Sequence, residues 1–147
     1  MIVSSMTAKD VKEVALLEKE CFASPWSEEN LISETTNPTS IFLVAKDNEK
    51  TVGYVGSNNI LGEVFITNIA VSDSFRRKGV ATALLNELIE RCKNENALYL
   101  TLEVRKSNIS AIKLYEKLGF SLVGERRDFY SSPTENALLY TLNFSND

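Results

Sequence analysis

The sequence predicts an α/β fold: a mixed central sheet of about seven strands with helices on both faces. Three observations lead there. Residues 63–104 read as strand, helix, strand, the pattern of a right-handed parallel crossover. The strands before them are joined by short polar turns, which favours antiparallel pairing. A length of 147 residues, 44% hydrophobic and 24% charged, suits one ordinary globular domain over residues 1–147.

The elements follow in order. Ile2-Val3-Ser4 opens as a short strand. Thr7 to Asp10 has the form of a capping box, and Val11, Val14, Ala15, Leu17, Cys21 and Phe22 make a helical stripe behind it. Pro25-Trp26-Ser27 breaks that helix. Ser27 caps a second one through about Glu34, whose first residues, Glu28 and Glu29, sit where the helix dipole favours acids. Asn37-Pro38 marks a loop. Ile41–Ala45 and Thr51–Asn58 are strands joined by the polar turn Lys46–Lys50, and Glu63–Val71 is a third. The period then changes. Val80, Ala81, Leu84, Leu85, Leu88, Ile89 and Cys92 fall on one face of a helix. Leu98–Val104 is a strand with an almost continuous apolar run. Asn108 reads as an N-cap, with Ile109, Ile112, Tyr115 and Leu118 as the stripe and Gly119 as the stop. Phe120–Val123 and Ala137–Asn143 finish the chain as strands.

Composition excludes several chemistries. The chain has no histidine, so there is no Ser-His-Asp triad and no imidazole base. Two cysteines cannot form a four-cysteine zinc site, and no metal is expected. Both lie on apolar helical stripes and read as buried free thiols. Proton transfer therefore falls to carboxylate, tyrosine, lysine, cysteine or water. Sixteen basic against 20 acidic residues give a net charge of −4. That argues against direct nucleic-acid binding and is compatible with a basic partner. No apolar leader or membrane-length run is visible, so the expectation is a cytoplasmic protein with no membrane contact.

The turn Arg76-Arg77-Lys78-Gly79-Val80-Ala81 stands between the third strand and the long helix. Gly79 permits a tight turn and a close approach of backbone to ligand. The first-turn N–H groups, through Thr82, point back at the loop, and the helix dipole adds partial positive charge. Cations at a helix N-terminus are disfavoured unless an anion intervenes. A pyrophosphate fits that arrangement. The pattern is neither a Walker loop nor the three-glycine dinucleotide fingerprint.

Ile69-Ala70-Val71 followed by Arg76-x-x-Gly79-x-Ala81 resembles the acetyl-coenzyme A signature of the GNAT N-acetyltransferase superfamily. Leu102-Glu103-Val104-Arg105-x-Ser107-Asn108 and Ala111-Ile112-x-Leu114-Tyr115-x-x-Leu118-Gly119-Phe120 resemble one branch of it, the bacterial ribosomal-protein-alanine N-acetyltransferases. Pro25-Trp26-Ser27 and Arg126-Arg127-Asp128-Phe129-Tyr130 resemble that branch too. The likeness runs from the first strand to Phe144.

The resemblance implies a GNAT fold and acetyl-coenzyme A as co-substrate. Its binding residues would be Ile69, Ala70, Val71, Arg76, Arg77, Lys78, Gly79, Val80, Ala81, Thr82 and Asn108. It implies Glu103 as general base and Tyr115 as the acid that protonates the departing thiolate. It also implies a bulge in Ile69–Val71 that offers a backbone N–H to the thioester oxygen. Trp26, Arg127 and Tyr130 would meet the acceptor, a protein N-terminus on a basic ribosomal protein. Two positions depart from the family pattern: Phe129 lacks a hydroxyl, and Asn136 lacks a charge.

Each residue also has a plainer reading. Glu103 could pair with Arg105, Tyr115 could be a core aromatic, Asn108 only a cap, and Trp26 only a cover for the core. An α-amine has a pKa of about 7.7–8.0, against about 10.4 for lysine, so a carboxylate or water is base enough for an N-terminus. Two other functions stay open at this level. One is a GNAT enzyme acting on a small amine or a lysine side chain. The other is an acyl-coenzyme A-binding module without catalysis.

Overall fold

A computed structural model describes residues 1–144. Its strands are β1 (Ile2–Ser5), β2 (Ser40–Asp47), β3 (Lys50–Ile60), β4 (Glu63–Val71), β5 (Tyr99–Arg105), β6 (Ser121–Tyr130) and β7 (Glu135–Asn143). Its helices are α1 (Val11–Cys21), α2 (Glu28–Glu34), α3 (Val80–Asn94) and α4 (Ile109–Lys117). The seven strands form one sheet in the order β1-β2-β3-β4-β5-β7-β6. β4 and β5 pair in parallel, as the crossover requires, and every other neighbour is antiparallel. The main difference from expectation is β6, which runs to Tyr130 rather than stopping at Val123. It is an edge strand, exposed on both faces, with two register irregularities. The alternation that signals a strand is therefore missing from its sequence.

Two cores flank the sheet. α3 and α4 cover one face through Leu84, Leu85, Leu88, Ile112 and Tyr115, packed on Val55, Val64, Leu100 and Leu102. α1 and α2 cover the other through Val14, Leu17 and Leu31, packed on Phe42, Val44, Tyr54 and Ala70. The second core reaches no further along the sheet than Ala70 of β4. No helix of the described residues is long and apolar enough to cross a membrane.

The site is opened by β4. Its register against β3 jumps from Ile66↔Ser57 to Asn68↔Gly56, leaving Thr67 as an extra residue. The bulge thus lies at Thr67 and not within Ile69–Val71, which pairs regularly with Val55, Tyr54 and Gly53. One added residue flips the faces that follow. Val64 and Ile66 join the α3 core, and after the bulge so do Ile69 and Val71, while Asn68 turns toward α1. β4 pairs with β5 only from Glu63↔Tyr99 to Phe65↔Thr101, and beyond that the strands part.

α3 seats its first turn on β3 at Gly53. A Cβ there would meet Val80 Cγ1 at 2.8 Å and the Ala70 carbonyl oxygen at 3.1 Å. Gly53→Val is therefore expected to destabilise the fold by about 1–3 kcal/mol through overpacking, measured by urea unfolding. Wild-type stability in that variant would show that the close approach is not needed.

Candidate active site

The parted ends of β4 and β5 leave a cleft of about 640 Å³, walled by the end of α1, the β4–α3 turn and one side of α4. Ile69, Ala70, Val71, Arg76, Arg77, Gly79, Val80, Ala81, Thr82, Asn108 and Tyr115 all line it. Residues from four separate segments thus meet in one place.

Gly79 is the N-cap of α3 with φ +81°, a left-handed conformation that favours glycine. Arg77, two residues earlier, is also left-handed at φ +63°. The first helical bond runs from Ala83 N–H to the Gly79 carbonyl at 3.0 Å. The amides of Gly79, Val80, Ala81 and Thr82 precede it and have no partner within the helix. A Cβ on Gly79 would meet nothing within 4 Å, so glycine is required there by its left-handed backbone and not by crowding.

The three cations of the turn diverge. Arg76 folds back on the protein: Nη1 pairs with Asp73 at 2.9 Å and Nε donates to the Val71 carbonyl at 3.3 Å. Lys78 lies over the Phe75 ring, 5.3 Å from its centroid, and is not part of the cleft wall. Arg77 lines the cleft and makes no ion pair among the described residues.

Asn108 caps α4, its Oδ1 accepting from Ala111 N–H at 3.3 Å. Tyr115 stands two turns further along the same helix, its ring tilted 57° to that of Phe120 at 5.8 Å between centroids. Burial, and then the neighbouring Tyr130 phenol, push the Tyr115 phenol up to about 12. Burial first, and then the Glu103 carboxylate, raise Tyr130 as well. Tyr130 therefore lies near both Tyr115 and Glu103.

Glu103 is on the face of β5 opposite the buried Leu102 and Val104. It is not paired with Arg105. Its Oε2 takes Arg126 Nε at 2.7 Å, across β7. Arg105 pairs with Glu135 instead, at 3.2 Å. Glu103 lies beyond the cleft wall, on the part of the sheet that α1 and α2 leave uncovered. Arg127 is exposed on β6. Trp26 is half-buried in the second core, its ring 6.0 Å from that of Phe42, and it makes no contact with Arg127 or Tyr130 of the kinds described here.

Several features were not singled out from sequence. Cys21 is only half-buried and forms part of the cleft wall, so the expectation of two buried thiols holds for Cys92 alone. It sits at the last turn of α1, where the stripe runs out into the cleft. Burial, partly offset by Arg76, raises the Cys21 thiol, which stays protonated. Glu18 is a fully buried carboxylate on α1 that accepts from Tyr54 OH, from Asn68 Nδ2 at 2.7 Å and from Trp26 N–H at 2.9 Å. Its signal was there to read: residue 18 follows Val14 at i+4, on the apolar stripe.

Residues 11–120 match the model of the acetyltransferase (GNAT) family. The chain belongs to that family and is an N-acetyltransferase. It is 33% identical over 145 residues, 97% of each chain, to the Escherichia coli (strain K12) protein named ribosomal protein bS18-alanine N-acetyltransferase. A Bacillus subtilis (strain 168) protein provisionally named for the same activity is 33% identical over 138 residues, 93% of this chain and 91% of that one. The crystal structure of the Escherichia coli ribosomal-protein-S18-alanine N-acetyltransferase superposes with a TM-score of 0.91 at 32% identity, covering 99% of this chain and 95% of that one.

The raised Tyr115 phenol has a consequence for stability. Its folded value, about 12, exceeds the ordinary value of about 10, so its contribution is complete below pH 10 and is lost as pH rises toward 12. In urea unfolding at stepped alkaline pH, the wild type is expected to lose stability faster than Tyr115→Phe. Parallel losses would mean that the phenol is solvated.

Proposed function

We propose that this chain is a single-domain enzyme that transfers an acetyl group from acetyl-coenzyme A to the α-amine of a protein N-terminus. The acceptor we assign is the N-terminal alanine of the small-subunit ribosomal protein bS18, a cytoplasmic target. The observation that carries this reading is the 33% identity, over 97% of both chains, to a protein named for that activity.

The residues present fit the co-substrate. The open amides of Gly79, Val80, Ala81 and Thr82, with Arg77 beside them, form an anion cradle suited to phosphate oxygens. Arg76 acts from behind, fixing the turn to the end of β4. Asn108 spends Oδ1 on its cap and keeps Nδ2 for the pantetheine arm. The co-substrate supplies an acetyl group activated as a thioester. β4 from Ile69 to Val71 pairs only with β3, so its other edge offers backbone donors toward the cleft.

Glu103 accepts the proton of the attacking amine, directly or through water. Its bond to Arg126 holds the carboxylate in place on the uncovered sheet face. Tyr115 delivers a proton to the departing thiolate, and its raised value keeps it protonated throughout the physiological range. Attack is direct, because Cys21 is held as the thiol and Cys92 is buried, its thiol pushed up to about 12 by burial. Trp26, Arg127 and Tyr130 shape the acceptor side. A net charge of −4 suits a basic ribosomal protein better than a nucleic acid.

Short peptides differing only in their first residues, with lysine peptides and free amines as controls, test the acceptor. Acetylation confined to the α-amine of Ala-initiated peptides is expected, and preferential transfer to lysine or a small amine would overturn the assignment. Tyr115→Phe should lower kcat by on the order of 10²–10⁴ while leaving coenzyme A affinity near wild type, and equal turnover would remove the acid role. Glu103→Gln should flatten the fall in rate at low pH, and an unchanged profile would reject it as the base.

A further inference from the structure

Arg105, the last residue of β5, takes no part in the steps above, yet its guanidinium is used on every side. Nη1 donates to the Pro133 carbonyl at 2.9 Å and to Glu135 Oε1 at 3.2 Å. Nη2 donates to the Ser131 carbonyl at 3.0 Å. Its Cζ lies over the Tyr130 ring, 4.6 Å from the centroid. Glu135 is engaged at both oxygens, because Oε2 accepts from Ser107 N–H at 2.6 Å. Ser107 immediately precedes Asn108, the cap of α4. Lys106 N–H adds a backbone bond to the Asn136 carbonyl at 3.1 Å.

These contacts join two loops of different duty. The turn after β5 carries Asn108 and leads into Tyr115, on the co-substrate side. The hairpin between β6 and β7 carries Tyr130, on the acceptor side. We infer that Arg105, acting with Glu135, is a positioning residue that holds the Tyr130 hairpin in register with the Asn108 turn, and so sets acceptor affinity. This rests on the acetyl-transfer reading given above. Only arginine has the geometry. Its planar fork reaches two carbonyls and a carboxylate while the cation sits over an aromatic ring, whereas lysine offers a single ammonium that cannot span all of them.

The test is Arg105→Lys, which keeps the charge and removes the fork. Steady-state kinetics with the Ala-initiated peptide should show the acceptor KM raised roughly tenfold, with the KM for acetyl-coenzyme A and the Tm close to wild type. Glu135→Gln should raise the acceptor KM in the same direction, and the double variant should show less than the sum of the two effects. Amide hydrogen exchange supplies a readout independent of activity. Ser107 and residues 131–135 should exchange faster in Arg105→Lys, with β2, β3 and β4 unchanged. An unaltered acceptor KM, or loss of both substrates in parallel with a fall in Tm, would overturn the inference. If the wild type acetylates no α-amine, the transfer reading fails by itself and the exchange result decides the clamp: local acceleration supports it and none refutes it.

Discussion

One extra residue in one strand organises this molecule. Thr67 bulges from β4, and on either side of it the strand obeys different partners. Before the bulge, three residue pairs bind β4 to β5, and after it β4 belongs to β3 alone. The lost pairing leaves backbone groups of β4 open to a crevice, into which α3 directs its unpaired first-turn amides. The same residue reverses which side chains face α3, so that Ile69 and Val71 close the core and Ala70 joins the other one. The irregularity has a cost, since Thr67 Oγ1 is buried without a partner among the described residues, a defect worth about 1–3 kcal/mol.

Buried polar contacts hold that irregular segment in place. Glu18 has no cation beside it among the described ion pairs, but three donors from three places converge on it: the loop before α2, the middle of β3 and the residue after the bulge. Such a carboxylate is tolerated in a core only when its oxygens are satisfied. Tyr54 answers by rising well above the ordinary phenol value, first through burial and then through Glu18. The floor of the cleft, the first helix and Trp26 are thereby fixed to one another. The same logic recurs on the exposed side, where Arg105 and Glu135 join two loops through a fork, a cation–π contact and an amide.

Much of this was legible in the sequence, for identifiable reasons. α3 and α4 show their stripes because one face of each is buried, and their caps, Gly79 and Asn108, are residues chosen by backbone geometry. The turn we propose as the phosphate cradle stands out in the sequence because glycine and cations at a helix start are unusual together. Of its three cations, Arg77 lines the cleft while Arg76 pairs with Asp73 and Lys78 lies over Phe75. The rest depends on relations between distant residues. A bulge leaves no side-chain mark, so the family resemblance points to Ile69–Val71, whereas the register shift lies at Thr67. The second half of β6 is largely exposed on both faces, so it shows no hydrophobic period. In sequence the near cation for Glu103 is Arg105, whereas the sheet order brings it Arg126 from β6. The absence of histidine is accommodated in the proposed mechanism, which relies on a carboxylate, a phenol and backbone amides, enough for an amine that is already partly neutral near pH 7.

In the proposed function, the parting of β4 and β5 turns the start of α3 into the co-substrate cradle. The most direct measurement is a titration of ¹⁵N-labelled protein with coenzyme A, followed by amide chemical shifts. The largest shifts are expected at Gly79, Val80, Ala81 and Thr82, with smaller ones along Ile69–Val71 and little change in β1 and β2. Saturable binding with those amides unmoved would contradict that cradle role.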